Sequence, residues 1–264
     1  AAEAERRRTE RTTTNINNRV DLRELPEVAF DLPTPEQYED ARWPEMPNND
    51  RRRSRGGEDE TWSIQIGPGD ATFFPTVPAL RGRATLLYFW NPTSTPTYRA
   101  LVTRMDRIQR RHGRDLVVVS VATPISDRRR RGNEDTNLER NITNAARGLA
   151  REVRLAHTIA INTSGSIMGQ ATGDSGRVQY RGTAPVAIVS SDGVVRWTGG
   201  DGDRGFESAL EQILLVDPGV KARAQAEAEY IRRAERQRQA TPATDADGES
   251  ESDGSTSPAS TSGG

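Results

Sequence analysis

Apolar positions concentrate between Trp62 and Val216 and fall into short blocks with two different periods. Leu86-Leu87-Tyr88-Phe89-Trp90 is a continuous apolar run, the mark of a strand buried on both faces. Tyr98, Leu101, Val102, Met105 and Ile108 then recur at helical spacing, and His112-Gly113 supplies a basic last turn and a glycine stop. Leu116 to Val121 is a second fully apolar strand. Leu138, Ile142, Ala145, Leu149 and Val153 give another amphipathic helix, and His157 to Ile161 a short strand. Val186 to Val189 and Val194 to Trp197 are strands joined by the turn signal Ser191-Asp192-Gly193, and Phe206, Leu210, Ile213 and Leu214 mark a closing helix. Strands alternating with helices predict an α/β fold with parallel central strands, and the final hairpin adds an antiparallel edge.

The flanks lack this pattern. Residues 1–60 carry Arg6-Arg7-Arg8, Arg51-Arg52-Arg53-Ser54-Arg55 and scattered prolines, and read as a Pro/Arg-rich, mostly disordered arm. Within it, Val28, Phe30, Tyr38 and Trp43 form a candidate docking patch. The core domain is assigned to 61–217. A charged, solvated helix is expected over 218–239, built from Ala, Glu, Arg and Gln from Ala222 onward. The Ser/Thr/Gly/acidic stretch 240–264 is expected to be disordered. The small residues Ala1-Ala2 at the start fit an exported chain after leader cleavage.

Composition narrows the chemistry. Only 33% of the chain is hydrophobic and 28% is charged, as expected of a core with polar extensions. No apolar run is long enough to span a bilayer as a helix, so no transmembrane segment is expected. The net charge is -1, and Lys221 is the only lysine among 37 basic residues. That balance, with no aromatics interleaved in Arg128-Arg129-Arg130-Arg131, argues against a nucleic-acid partner. The decisive count is cysteine, which is zero. Thiolate catalysis, disulfides, zinc–thiolate sites and iron–sulfur clusters are all excluded for this chain. With His112 and His157 as the only histidines, and both read as structural, no metal site and no cofactor are expected. Gly200-Asp201-Gly202-Asp203-Arg204-Gly205 matches G-x-G-x-x-G, but Asp201 and Asp203 would repel a pyrophosphate, so it reads as a mobile turn. Asn162-Thr163-Ser164 matches a glycosylation sequon and says nothing further.

Four stretches, in order, resemble the thioredoxin fold, and within it the TlpA-like thiol-disulfide oxidoreductases and redoxins. Leu80-Arg81-Gly82-Arg83-Ala84 is similar to that family's lead-in to the central strand, and Leu86 to Trp90 to the strand ending in phenylalanine–tryptophan. Gly182-Thr183-Ala184-Pro185-Val186 is similar to the loop carrying the family's cis-proline, and Ser191-Asp192-Gly193-Val194-Val195 to its aspartate–glycine hairpin. The resemblance implies a thioredoxin-like fold with a central mixed sheet flanked by helices. It also implies an active site of two cysteines two residues apart after Trp90. This sequence departs there: Ser94 and Thr97 stand on the two cysteine positions, with Thr95 and Pro96 between them.

A thiolate serves in thiol–disulfide exchange because a helix N-terminus lowers its pKa from about 8.5 into a range of roughly 3.5–7. A hydroxyl is beyond the reach of such a shift, and oxygen makes no stable exchangeable bond to sulfur. Ser94 and Thr97 are therefore assigned no catalytic role, and helix capping is their simplest use. The expectation is a redox-inactive thioredoxin-like domain of the periplasm or cell envelope that binds a protein or an extended peptide. Its candidate cleft comprises Thr183, Ala184 and Pro185 beside Trp90. The alternatives are a thiol-disulfide oxidoreductase, which zero cysteines disfavour, and a structural protein working through flexible arms.

Overall fold

The computed structural model of the chain describes residues 25–46, 62–91, 98–123, 138–152, 155–172 and 184–240. In chain order its elements are α1 (Pro35–Glu39), β1 (Thr72–Phe74), β2 (Ala84–Trp90), α2 (Tyr98–His112), β3 (Leu116–Ala122), α3 (Leu138–Glu152), β4 (Thr158–Ile161), α4 (Ser166–Thr172), β5 (Pro185–Val189), β6 (Val195–Gly200), α5 (Phe206–Val216) and α6 (Pro218–Ala240).

The apolar run of β2 sits inside a six-stranded sheet of order β1-β4-β3-β2-β5-β6. It runs parallel to β3, from Ala84 opposite Leu116 to Trp90 opposite Ala122, and antiparallel to β5. β3 and β4 are also parallel, whereas β1 and β6 close the two edges antiparallel. On one face Leu86, Tyr88 and Trp90 pack with Val102 and Met105 of α2, Ile142 of α3 and Phe206 and Leu210 of α5. On the other, Leu87 and Phe89 pack with Ile167 and Ala171 of α4 and with Ile64. Each such side chain contributes about 1.5–3 kcal/mol on burial, so β2 alone accounts for a large share of the core. This mixed sheet with helices on both faces is the thioredoxin-like fold expected from the sequence.

The turn Ser191-Asp192-Gly193 joins β5 and β6, with Gly193 at φ 84°, a conformation open to glycine. Val153 and Arg128 to Arg131 lie outside the described residues. Three short elements have no counterpart in the sequence reading: α1, β1 and α4. Gly200 to Gly205 is a tied turn and not a mobile one, because the Asp203 carboxylate accepts the Gly200 N–H at 2.6 Å. Asn162 is buried and donates to the Asp70 carbonyl at 2.9 Å while its Oδ1 accepts the Ile167 N–H, so its side chain serves the β4–α4 corner.

Two expectations about the flanks are corrected. The stretch 25–46 of the arm is folded against the domain. Thr34-Pro35-Glu36-Gln37 starts α1, with the Thr34 N–H donating to Gln37 Oε1 at 2.8 Å. Phe30 rests on Gly82, whose φ of 64° and missing Cβ admit the ring edge, and the Arg81 guanidinium lies 5.3 Å from the Phe30 centroid. Tyr38 is buried and bonds Ser191 Oγ at 3.0 Å, and Arg196 stacks 4.1 Å from the Trp43 centroid. These anchors are spaced too irregularly to give a period, and hydrogen bonds hold them as much as apolar contact does.

The second correction concerns α6, which is not simply solvated. Asp217 caps it by accepting the Gly219 N–H at 2.9 Å, and Val220 and Ile231 are buried. Arg223, only 3% exposed, donates to the Gly82 carbonyl at 3.0 Å, to Glu227 Oε1 at 2.7 Å and to Asp115. Arg114 joins the same Glu227 carboxylate at 2.9 Å and reaches the Leu25 carbonyl at 3.2 Å. One buried ion network thus ties the arm, the lead-in turn to β2, the α2–β3 turn and the last helix.

Removing Arg223 takes the guanidinium from Asp115 and leaves Glu227 with Arg114 alone. Arg223→Ala is expected to lower stability in equilibrium urea unfolding by about 3–5 kcal/mol. Gly82→Ala is expected to cost at least about 1–2 kcal/mol from its left-handed backbone. Its methyl also displaces Phe30, so protease cleavage within 25–46 should quicken relative to wild type.

Candidate functional site

Of the residues singled out by the family resemblance, the three that are described lie toward one end of the sheet. Tyr88 pairs with Val186 across β2 and β5, and continuing that register sets Pro185 beside Phe89 and Ala184 beside Trp90. Ser94, Thr95, Pro96, Thr97 and Thr183 lie outside the described residues, so three of the eight candidate positions, Trp90, Ala184 and Pro185, are placed.

Trp90 is buried at the end of β2. Its ring stacks against Tyr98, with centroids 5.1 Å apart, and its Nε1–H donates to Ser120 Oγ at 2.6 Å. The Trp90 carbonyl accepts the Thr123 N–H at 3.0 Å. Pro185 is buried opposite Gly200, and Ala184 is half-buried. Ala184 and Asp201 bond reciprocally: the Ala184 N–H donates to Asp201 Oδ1 at 2.7 Å, and the Asp201 N–H to the Ala184 carbonyl at 2.9 Å. Arg104 holds Asp201 from α2, donating to its carbonyl at 2.7 Å. The Ala184–Pro185 bond is trans, contrary to the cis-proline that the resemblance implies; the cis bond among the described residues is Phe74–Pro75. Clamped by Asp201, Ala184 enters the ladder with β6 as extended chain.

Beneath this end runs a chain of buried polar groups that sequence reasoning missed. Ser120, on β3, accepts from Trp90 and stands opposite Tyr88 in the β2–β3 register. Tyr88 Oη lies 2.9 Å from His157 Nε2, and His157 Nδ1 lies 3.4 Å from Asp106 Oδ1, long for a hydrogen bond. The Asp106 carboxylate makes Nδ1 the protonated nitrogen, so Nε2 accepts from Tyr88. Burial pushes the His157 imidazolium down to about 4, against the opposing pull of Asp106, so the ring is neutral at pH 7. Burial also drives the Tyr88 phenol strongly upward. Asp106 loses some solvation, but the Ala156 N–H and Arg110 outweigh that and hold its carboxyl below the usual range. The carboxylate–imidazole–hydroxyl order resembles a catalytic relay, yet Tyr88 is fully buried and its phenolate is disfavoured. The chain's chemistry is therefore positional: it pairs the Tyr88 hydroxyl and the Trp90 Nε1–H and fixes the Trp90 ring, while His157 Nδ1 is left with only the long contact to Asp106. The sequence signal for it is faint, consisting of a tyrosine and a serine interrupting two apolar strands at paired register positions.

No protein-family model matches the chain, and no curated protein sequence matches it. Solved structures do. A thiol-disulfide isomerase from Corynebacterium glutamicum aligns at 12% identity over 60% of this chain and 98% of its own, with a TM-score of 0.41. A thioredoxin-family thiol:disulfide interchange protein from Chlorobium tepidum aligns at 15% over 51% and 82%, with a TM-score of 0.36. A secreted disulfide oxidoreductase from Mycobacterium tuberculosis aligns at 15% over 50% and 82%, with a TM-score of 0.33. Among the described residues no helix is long and apolar enough to cross a membrane.

The buried imidazole makes a pH prediction with a definite sign. His157 is protonated near pH 6.5 when unfolded but only near pH 4 when folded, so between those values the unfolded chain binds the extra proton. Stability is expected to fall as pH drops from about 6.5 to 4, by up to roughly 3 kcal/mol at about 1.4 kcal/mol per pH unit. Burial shifts His112 the same way, so the readout is the difference between wild type and His157→Gln in urea unfolding across that range. A wild-type slope no steeper than that of His157→Gln contradicts the assignment.

Proposed function

We propose that this chain is a redox-inactive thioredoxin-fold module of the cell envelope, binding a protein or an extended peptide at the end of the sheet marked by Trp90 and Pro185. The observation that carries the reading is the cysteine count of zero, which deprives this chain of the nucleophile and the exchangeable bond that thiol–disulfide chemistry needs. Ser94 and Thr97 supply hydroxyls at the positions the resemblance assigns to cysteines. The polar chain under Trp90 supports a role in recognition, because a fixed ring and a clamped Ala184 give an edge whose shape does not depend on redox state. The envelope location rests on the family resemblance alone.

The purified chain is expected to leave insulin disulfides unreduced in dithiothreitol-coupled turbidity assays, where measurable acceleration over dithiothreitol alone overturns the redox-inactive reading. Labelled extended peptides are expected to bind wild type with saturable anisotropy. Thr183→Arg should weaken that binding at least tenfold while circular dichroism is preserved. Undiminished binding by the folded variant removes the cleft from the proposal and favours the arms as the working surface.

A further inference from the structure

At the opposite end of the sheet from Trp90, the first residues of β2 and the last of β5 enclose a cavity of about 60 Å³. By the usual allowance per water this holds about four or five water-sized positions, too few for a peptide or a nucleotide. Ile64, Ile66, Leu80 and Val189 give it an apolar lining, and Arg83, Thr85, Ser190 and Ser191 are the polar side chains that share that lining.

Arg83 is the unusual group. Its Nη1 donates to the Ala79 carbonyl at 3.3 Å, but its Nε is buried and has no acceptor among the described residues. An N–H left in that condition costs about 1–3 kcal/mol unless something occupies its acceptor position. The neighbouring ion network deepens the deficit. Asp115 and Glu227 are already divided between Arg223 and Arg114, so Arg83 is a third guanidinium beside two engaged carboxylates. Burial, then Arg223 and Arg114, lower the affinity of Arg83 for its own proton and outweigh the opposing pull of Glu227 and Glu27, neither of which forms an ion pair with it among the described residues.

The acidic groups near the cavity do not fill that role. Asp192 is paired with Arg196 at 2.7 Å, and Asp217 is occupied by Ser191 and the first turn of α6. The hydroxyls of Ser190 and Ser191 are engaged with those same two carboxylates. Thr85 is left as the second polar group able to meet a ligand.

We propose that this cavity binds a small aliphatic carboxylate, its oxygens on Arg83 and Thr85 and its carbon end against Ile64, Ile66, Leu80 and Val189. The division of the lining selects the class. A phosphate would press charged oxygens against the apolar lining, whereas an acetate-sized carboxylate presents one charged and one apolar end. The same chemistry is available from a free short-chain acid or from the carboxyl end of a peptide, and one experiment separates the two.

Thermal unfolding of the full chain is followed against sodium acetate at constant ionic strength, with sodium chloride making up the balance. A saturable rise of about 3 °C is expected at acetate well above its midpoint. Acetamide, the neutral isostere, and inorganic phosphate are expected to give none. Arg83→Met should raise the acetate midpoint at least tenfold, and Thr85→Val should raise it more modestly. A short peptide ending in a free alanine carboxylate, compared with its amidated form, identifies the source: protection by the free form alone points to a peptide end, and protection by acetate alone to a free acid. The proposal is overturned if acetate gives no saturable shift, if acetamide or phosphate matches it, or if folded Arg83→Met responds as wild type does. Should Arg83→Met fail to fold, the acetate–acetamide comparison on wild type decides alone.

Discussion

A strand with no solvent-facing side has to be enclosed from four directions, and β2 is such a strand. In the plane of the sheet it is held by β3 and β5, and above and below it by helices and the 62–80 segment. A continuous apolar run of this kind has no stable place on the surface, so the sheet order follows from it. Helix-length crossovers leave β3 parallel beside β2, while the short β5–β6 turn makes that pair antiparallel. Polar groups that touch β2 are then pressed into hydrogen bonding, because an unpaired donor beside it has no water to turn to; among the described residues Arg83 Nε, Thr123 Oγ1 and His157 Nδ1 are left over. The Trp90–Ser120 and Tyr88–His157 pairs are the result on one face, and Asp106 extends the second to the edge of α2.

The end of the sheet at Trp90 is tied down from several sides. Asp201 holds Ala184 by two hydrogen bonds, Arg104 holds Asp201, and the Trp90 ring is held by Ser120 and Tyr98.

Most of the core was legible in the sequence because it is written in single-period blocks. The bounds of β2, α2, β3 and α5 lie within a few residues of where their apolar patterns place them, and Gly113 ends α2 as its position implies. What escaped has other physical origins. β1 is a three-residue edge strand, too short to show alternation. The arm segment 25–46 is anchored by Phe30, Tyr38 and Trp43, far apart in sequence and joined only in space by Gly82, Ser191 and Arg196. Arg223 and Glu227 look like an exposed charge pair at helical spacing, and only the tertiary structure shows that they are inside. Asp201 and Asp203 were hidden by the glycines around them, which suggested looseness where the carboxylates impose order. Within the candidate site, β2 and β5 are neighbours as their apolar runs suggest, but the Ala184–Pro185 bond is trans where the resemblance implied cis.

The network around Arg223 also imposes an order of events on a chain made from one end. A polypeptide leaves the ribosome N-terminus first, so Leu25, Gly82, Arg114 and Asp115 all emerge before the guanidinium that joins three of them, directly or through Glu227, has been synthesised. Until then, the charges at that pole have only water and each other as partners. The sheet can close early, around its apolar strands, but the fastening of the first segment to the last must wait for the translation of α6. The joining of that pole to α6 is therefore completed late, by a single side chain of that helix.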